Sequence, residues 1–217
     1  MARRISFVVG EYYHLYNRGV EKRKIFLSSR DYDRFVALLY LCNGSQPVLI
    51  RDLKMPLSEV FAIDRGAPLV DIGAWCLMPN HFHLLVRQRV GNGISIFMQK
   101  LATAYTMYFN TKNKRSGVLF QGVFKAVHTD KNRHLKYLFA YIHLNPLKLI
   151  DPEWRDSGVA NRPAALDFIE QYQYSSYPEY AGKRRRAAAV LERDSFPKYF
   201  PNEVDFVSDI FSWLSFG

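Results

Sequence analysis

The sequence predicts an α+β fold: an antiparallel sheet in the split βαβ, ferredoxin-like layout, with helices on one face and a C-terminal extension. Two observations predict it. Apolar residues switch between a period of two and a helical period in the order strand, helix, strand, strand, helix, strand, further helix. The middle two strands are joined by the turn pair Pro79-Asn80, which makes them a hairpin. A change of texture after Ile150 divides the chain into a domain over 1–150, with an insertion at about 45–70, and a basic, Tyr-rich extension over 151–217.

Each element has its own signal. Ile5–Asn17 is rich in Val, Phe and Tyr and alternates, which predicts the first strand, ended by Gly19. Ser28 with Asp31 three residues later is a capping-box pattern, so a helix starts near Ser29; Phe35, Leu38, Leu39 and Cys42 form its buried stripe and Asn43-Gly44 stops it. Within the insertion, Leu49–Leu53 reads as a short strand and Leu57–Ile63 as a helical turn. Ala74–Met78 and Phe82–Val86 are the hairpin strands. Ile94, Phe97, Leu101, Ala104, Tyr105 and Tyr108 recur at helical spacing up to about Asn110. Val123–His128 is the next strand. A helix capped by Asp130 or Asn132 then runs to Leu144, where Pro146 closes it and biases Asn145 away from helical geometry. Val204–Leu214 is a short terminal helix.

Composition narrows the function classes. Thirty Lys and Arg against 20 Asp and Glu give a net charge of +10, which favours a polyanionic partner, nucleic acid before membrane, over a merely basic protein. The two cysteines, Cys42 and Cys76, form no CxxC, which argues against a thiolate zinc site and for a reducing compartment. The N-terminal apolar run is too short for a signal peptide or membrane span, so the expected location is the cytoplasm. No GxxxxGK[ST] loop is present, so no nucleotide-driven step is expected.

Chemistry concentrates in two stretches. His81 and His83 open the second hairpin strand; two residues apart on a strand means one face, with the imidazoles roughly 6–7 Å apart at the base. They could converge on a divalent ion, or one could cap the turn while the other packs beneath a helix. On the last helix Tyr137, Tyr141 and Asn145 repeat every four residues and share a stripe, with Asn145 at its end. Either tyrosine could serve as a nucleophile on this reading. Basic residues suited to phosphate are Arg18, Lys112, Lys114, Arg115, Lys125, Lys131 and the run Lys183, Arg184, Arg185, Arg186; a solvated charged face is the plainer explanation of such runs. Glu170–Gly182 interleaves tyrosines and serines, which could stack on bases or pack back onto the domain. His14, His128, His134 and His143 read as structural or phosphate-contacting.

MPNHFHLLV at 78–86 resembles the His-hydrophobic-His motif of the HUH nucleases, and YIHLNP at 141–146 the tyrosine-helix motif of single-tyrosine transposases. The chain is most similar to the transposases associated with repetitive extragenic palindromes, through YHLYNRG at 13–19, WCLMPNHFHLLV at 75–86, LFQGVFKA at 119–126, YIHLNPLK at 141–148 and YSSYPEYAG at 174–182. Val123 stands where the resemblance leads one to expect Arg, which removes one DNA contact that the family pattern would imply. The resemblance implies a metal-dependent single-stranded DNA endonuclease and strand transferase. Its nucleophile would be Tyr141, which forms a covalent 5′-phosphotyrosine and frees a 3′-OH. Its Mg or Mn ion would be held by His81, His83 and Asn145. Its partner would be single-stranded or hairpin DNA, and the protein would be a monomer or homodimer. The alternative is a non-catalytic nucleic-acid-binding protein on the same fold, a decayed or domesticated transposase.

Overall fold

The computed structural model describes residues 6–48 and 56–215. Ile5 and the expected strand at Leu49–Leu53 lie outside them. The sheet is built from β1 (Tyr12–Arg18), β2 (Val70–Met78), β3 (His81–Gln88) and β4 (Lys125–Thr129). All pairings are antiparallel and the order is β2-β3-β1-β4, so β1 and β3 are central. Helices α1 (Ser29–Cys42) and α2 (Gly93–Lys112) sit between strands, as the split βαβ order requires. They cover one face, packing Phe35, Leu38, Phe97 and Leu101 against Tyr13, Leu15, Phe82, Leu84 and Val86.

The first strand is shorter than its apolar run, and the hairpin strands are longer than theirs, because ladder pairing carries polar residues such as Asp71 and Gln88 that a hydrophobic count leaves out. The helical turn expected at Leu57–Ile63 is present as Leu57–Val60. Gly73 accounts for an irregularity in β2. The register slips between Ile72 and Ala74. Ile72 therefore joins the α1/α2 core, whereas Ala74, Cys76 and Met78 turn to the opposite face.

The further helix, α3 (Asn132–Leu144), covers that opposite face, so helices lie on both faces of the sheet rather than on the one expected. Leu135, Leu138, Phe139 and Ile142 pack on Ala74, Cys76, Met78 and Leu85. Two expectations about its ends are corrected. Neither Asp130 nor Asn132 caps it: Lys131 holds the N-cap position without a side-chain hydrogen bond, and Asn132 is already helical. The α-helix does end at Leu144, as expected, yet Pro146 does not take the chain out of helical geometry. The chain continues as a 3-10 turn over Asn145–Leu149, with Asn145 in helical geometry (φ −54°, ψ −36°). Burial of Asn145, Pro146 and Leu147 outweighs the local bias against a helical residue before proline.

Residues beyond 150 pack back onto the domain. Trp154, Ile169 of α4 (Arg162–Gln171), Tyr177, and Phe206 and Ile210 of α5 (Glu203–Ser212) form a second core with Ala140, Leu144 and Leu147. Tyr174–Ser176 runs along the outer edge of β2, with Leu77 N–H donating to Tyr174 O and Ser176 N–H to Trp75 O. That covers an edge which would otherwise expose unpaired backbone. The tyrosines of this stretch serve the packing: Tyr172 and Tyr180 hydroxyls donate to Leu77 O and Gly73 O, and Tyr174 stacks on Tyr32 with ring centroids 3.7 Å apart.

Candidate active site

The period of two on β3 puts Phe82 and Leu84 into the α1/α2 core and His81 and His83 on the α3 face. Pairing with β1 sets Arg18 opposite His81 and Tyr16 opposite His83. The two imidazoles stand 5.0 Å apart between ring centroids, nearly perpendicular. Tyr141 comes from above, on α3: its ring lies 5.4 Å from that of His83 and 5.6 Å from that of His14. Asn145, one helical turn beyond, is fully buried.

Hydrogen bonds decide which ring nitrogen is free. Asn80 Nδ2 donates to Lys22 O, so its Oδ1 faces His81 Nδ1 at 2.6 Å and must accept from it. His81 Nε2 therefore keeps its lone pair. His83 Nδ1 is engaged by His14 Nε2 at 2.8 Å, which orients the ring. Burial, followed by the facing cations, keeps these imidazoles neutral. The His81 pKa drops to about 4, through burial and then Arg18 and Lys148. His14 drops to about 4 through burial, His134 and Arg155, and His83 lies well below the usual value through burial, His14, His81, Arg155 and Lys148. The Asn145 amide is near enough to His81 to oppose its drop. Yet neither amide atom completes a hydrogen bond among the described residues.

Two neutral imidazoles and an amide oxygen without a hydrogen bond form a nitrogen-and-oxygen donor set that fits a divalent ion. Among the described residues no three His, Cys, Asp or Glu side chains form a group that could hold a metal ion. A cavity of about 310 Å³ opens beside the cluster, lined by His14, Tyr16, His83, Tyr137 and Tyr141 among others. A larger one, about 630 Å³, lies around Asp151–Arg162 and holds no comparable cluster of histidine and tyrosine. Tyr137 shares the smaller cavity, 5.9 Å from the Tyr141 ring, but it is the more exposed of the two and leans on Trp213.

The basic candidates divide. Arg18 faces His81, and Lys125 pairs across from Tyr16, both exposed at the rim. Lys131 is exposed at the start of α3 and Lys114 in the loop after α2. Lys112 is engaged by Asp31 and Ser28, and Arg115 by Asn110 and Val118 O. Arg185 is paired with the buried Glu179 and bonded to Gln173 O and Ser175 O. Lys183 donates to Glu170 O, while Arg184 and Arg186 are exposed. The sequence reading missed two residues, Lys148 and Arg155; His14, expected to be structural or phosphate-contacting, is structural, with its Nε2 2.8 Å from His83 Nδ1. Lys148 lies in YIHLNPLK, where its position invites the assignment. Arg155, whose guanidinium carbon lies 4.1 Å over the Tyr141 ring, sits in a one-turn helix within a stretch that carries no motif.

A split βαβ sheet that presents a His-Tyr cluster beneath an added helix is the class to which fold and site together point. Residues 12–145 match the family described as IS200-like transposase, more than half of the chain, and the chain belongs to that family. The solved structure of a REP-associated tyrosine transposase bound to a REP hairpin shares the fold, with a TM-score of 0.54 at 13% identity over 94% of this chain and 93% of that one. No curated protein sequence matches. No helix among the described residues is long and apolar enough to cross a membrane.

Proposed function

We propose that this transposase-family chain cleaves and rejoins single-stranded DNA through Tyr141, with Mg or Mn held by His81, His83 and Asn145. The observation that carries the reading is the convergence of the Tyr141 ring, two neutral imidazoles and an amide without a hydrogen bond on one spot. A bound divalent ion would draw negative charge from the scissile phosphate. The chain does the rest. Asn80 holds His81 in the tautomer that keeps the Nε2 lone pair, and His14 would do the same for His83 by accepting from its Nδ1–H. Arg18 and Lys148 add positive potential where the phosphate must sit. The Tyr141 phenol oxygen attacks phosphorus and gives its proton to solvent, while the bond to the 3′ oxygen breaks and that oxygen takes up a proton, leaving a 3′-OH and a 5′-phosphotyrosine. A phenolate is also a fair leaving group, so the same step runs backward when a 3′-OH attacks, which suits strand transfer. The structural neighbour is described in complex with a REP hairpin, which supports single-stranded or hairpin DNA as the partner.

End-labelled single-stranded DNA incubated with Mn²⁺ tests this. Wild type and Tyr137→Phe should form a covalent protein–DNA adduct; Tyr141→Phe, or wild type in excess chelator, should form none. An adduct on the Tyr141→Phe protein would overturn the assignment. DNA retained by wild type with no adduct under any divalent ion would favour the non-catalytic binding protein.

A further inference from the structure

Arg155 lies in a one-turn helix, Trp154–Ser157, beyond the stretch that matches the family. Trp154 is buried in the second core and fixes the orientation of that turn. The neighbouring guanidinium stacks over the Tyr141 ring at 4.1 Å and over the Trp154 ring at 5.5 Å. Its field reaches His14 and His83. Nε and Nη2, the two nitrogens along one edge of the guanidinium, are buried and have no hydrogen-bond partner among the described residues. An arginine edge of this kind matches two oxygens of a phosphate. Buried donors are ordinarily satisfied, so an idle pair beside a nucleophile points to an acceptor that arrives with the substrate. The Asn145 amide, equally idle, lies one helical turn from the same tyrosine.

We propose that Arg155 is a phosphate clamp: its Nε–H and Nη2–H bind the non-bridging oxygens of the phosphodiester presented to Tyr141. This rests on the Tyr141 reading for its catalytic consequence, whereas the phosphate contact itself does not. The competing role is a prop, in which the guanidinium only holds the Tyr141 ring by cation–π attraction.

Arg155→Met keeps the aliphatic packing and removes the donors; Arg155→Lys keeps the charge and loses the fork. Binding of a fluorescein-labelled single-stranded oligonucleotide is followed by anisotropy across a salt series, beside thermal melts and the Mn²⁺ adduct assay. The clamp predicts affinity at least fivefold weaker for Arg155→Met, and a slope of log K against log salt smaller by roughly 0.7, one phosphate contact on a single strand. Arg155→Lys should keep the slope and lose part of the affinity, and the melting temperature should not fall, since no protein acceptor is lost. Adduct formation should slow about a hundredfold for Arg155→Met. An unchanged salt slope with a lowered melting temperature overturns the clamp in favour of the prop. A reduced slope with no adduct even in wild type keeps the clamp and sinks the nuclease reading. Normal adduct formation by Arg155→Met with an unchanged slope does the reverse, and failure of wild type to bind the oligonucleotide overturns both.

Discussion

Asp31 shows how one residue ties two helices. Its Oδ2 accepts from the N–H groups of Leu27 and Ser28 at 2.9 and 3.0 Å, closing the start of α1. Its Oδ1 accepts from Tyr108 and Lys112 at the far end of α2. Burial by itself would raise the Asp31 pKa; Lys112, the Leu27 N–H and Tyr108 together outweigh it and hold the carboxyl below its usual 3.8. A carboxyl with a depressed folded pKa contributes stability above the unfolded value and loses it as pH falls through the folded one. Asp31→Asn should therefore cost about 2 kcal/mol at neutral pH, of the order of charged hydrogen bonds lost. The gap to wild type should stay constant from pH 5 to 8 and narrow below about pH 3.8. Urea melts across that range check it; a gap that widens in acid contradicts the account. His14 makes the complementary point near the site, where an uncharged contact at 2.8 Å orients a neighbour rather than holding helices together.

At the scale of elements, the bulge in β2 sets which side chains face α3. A Cβ on Gly73 would lie 2.6 Å from atoms of the Phe196 ring, and the Tyr180 hydroxyl closes on Gly73 O from the same side. The ring is buried at 5% exposure and has little room to yield. Gly73→Ala should destabilise by about 1–3 kcal/mol, the usual range for overpacking. Denaturant melts with an unchanged slope and a lower midpoint are the expected result; an unchanged midpoint would mean that Phe196 relaxes freely. Element pairing also explains why the site lies where it does. His81 and His83 share a face through strand geometry, Tyr141 reaches them because α3 packs its Leu135, Leu138 and Ile142 side on β2 and β3, and the Tyr137–Tyr141 stripe turns toward the sheet's histidines.

For the whole molecule, the C-terminal third is part of the support of the site. Trp154, Ile169, Phe206 and Ile210 cover Ala140, Leu144 and Leu147, which lie beside Tyr141 and Asn145 on α3 and the turn after it. A chain cut after Ile150 would uncover that surface and the edge of β2. Such a fragment should lose cooperative unfolding and aggregate, seen as void-volume elution and loss of near-ultraviolet dichroism. A monomeric fragment with a sharp melt would show that 1–150 folds by itself.

Much of this was legible in the chain. Alternation on HFHLLV put both histidines on one face; the capping pair Ser28 and Asp31 placed the start of α1; four-residue spacing put Tyr137, Tyr141 and Asn145 on one stripe; and element order named the sheet. Those are local properties, set by the geometry of a strand or a helix within a few residues. Other features were not legible for the same reason. That His14 of β1 would bond to His83, that Pro146 would be carried into a continuing turn, that Arg185 would be spent on Glu179, and that Arg155 would lie over Tyr141 all depend on which distant segments pack together. Periodicity tells a side chain which face of its own element to occupy, but only tertiary packing decides what stands across from that face.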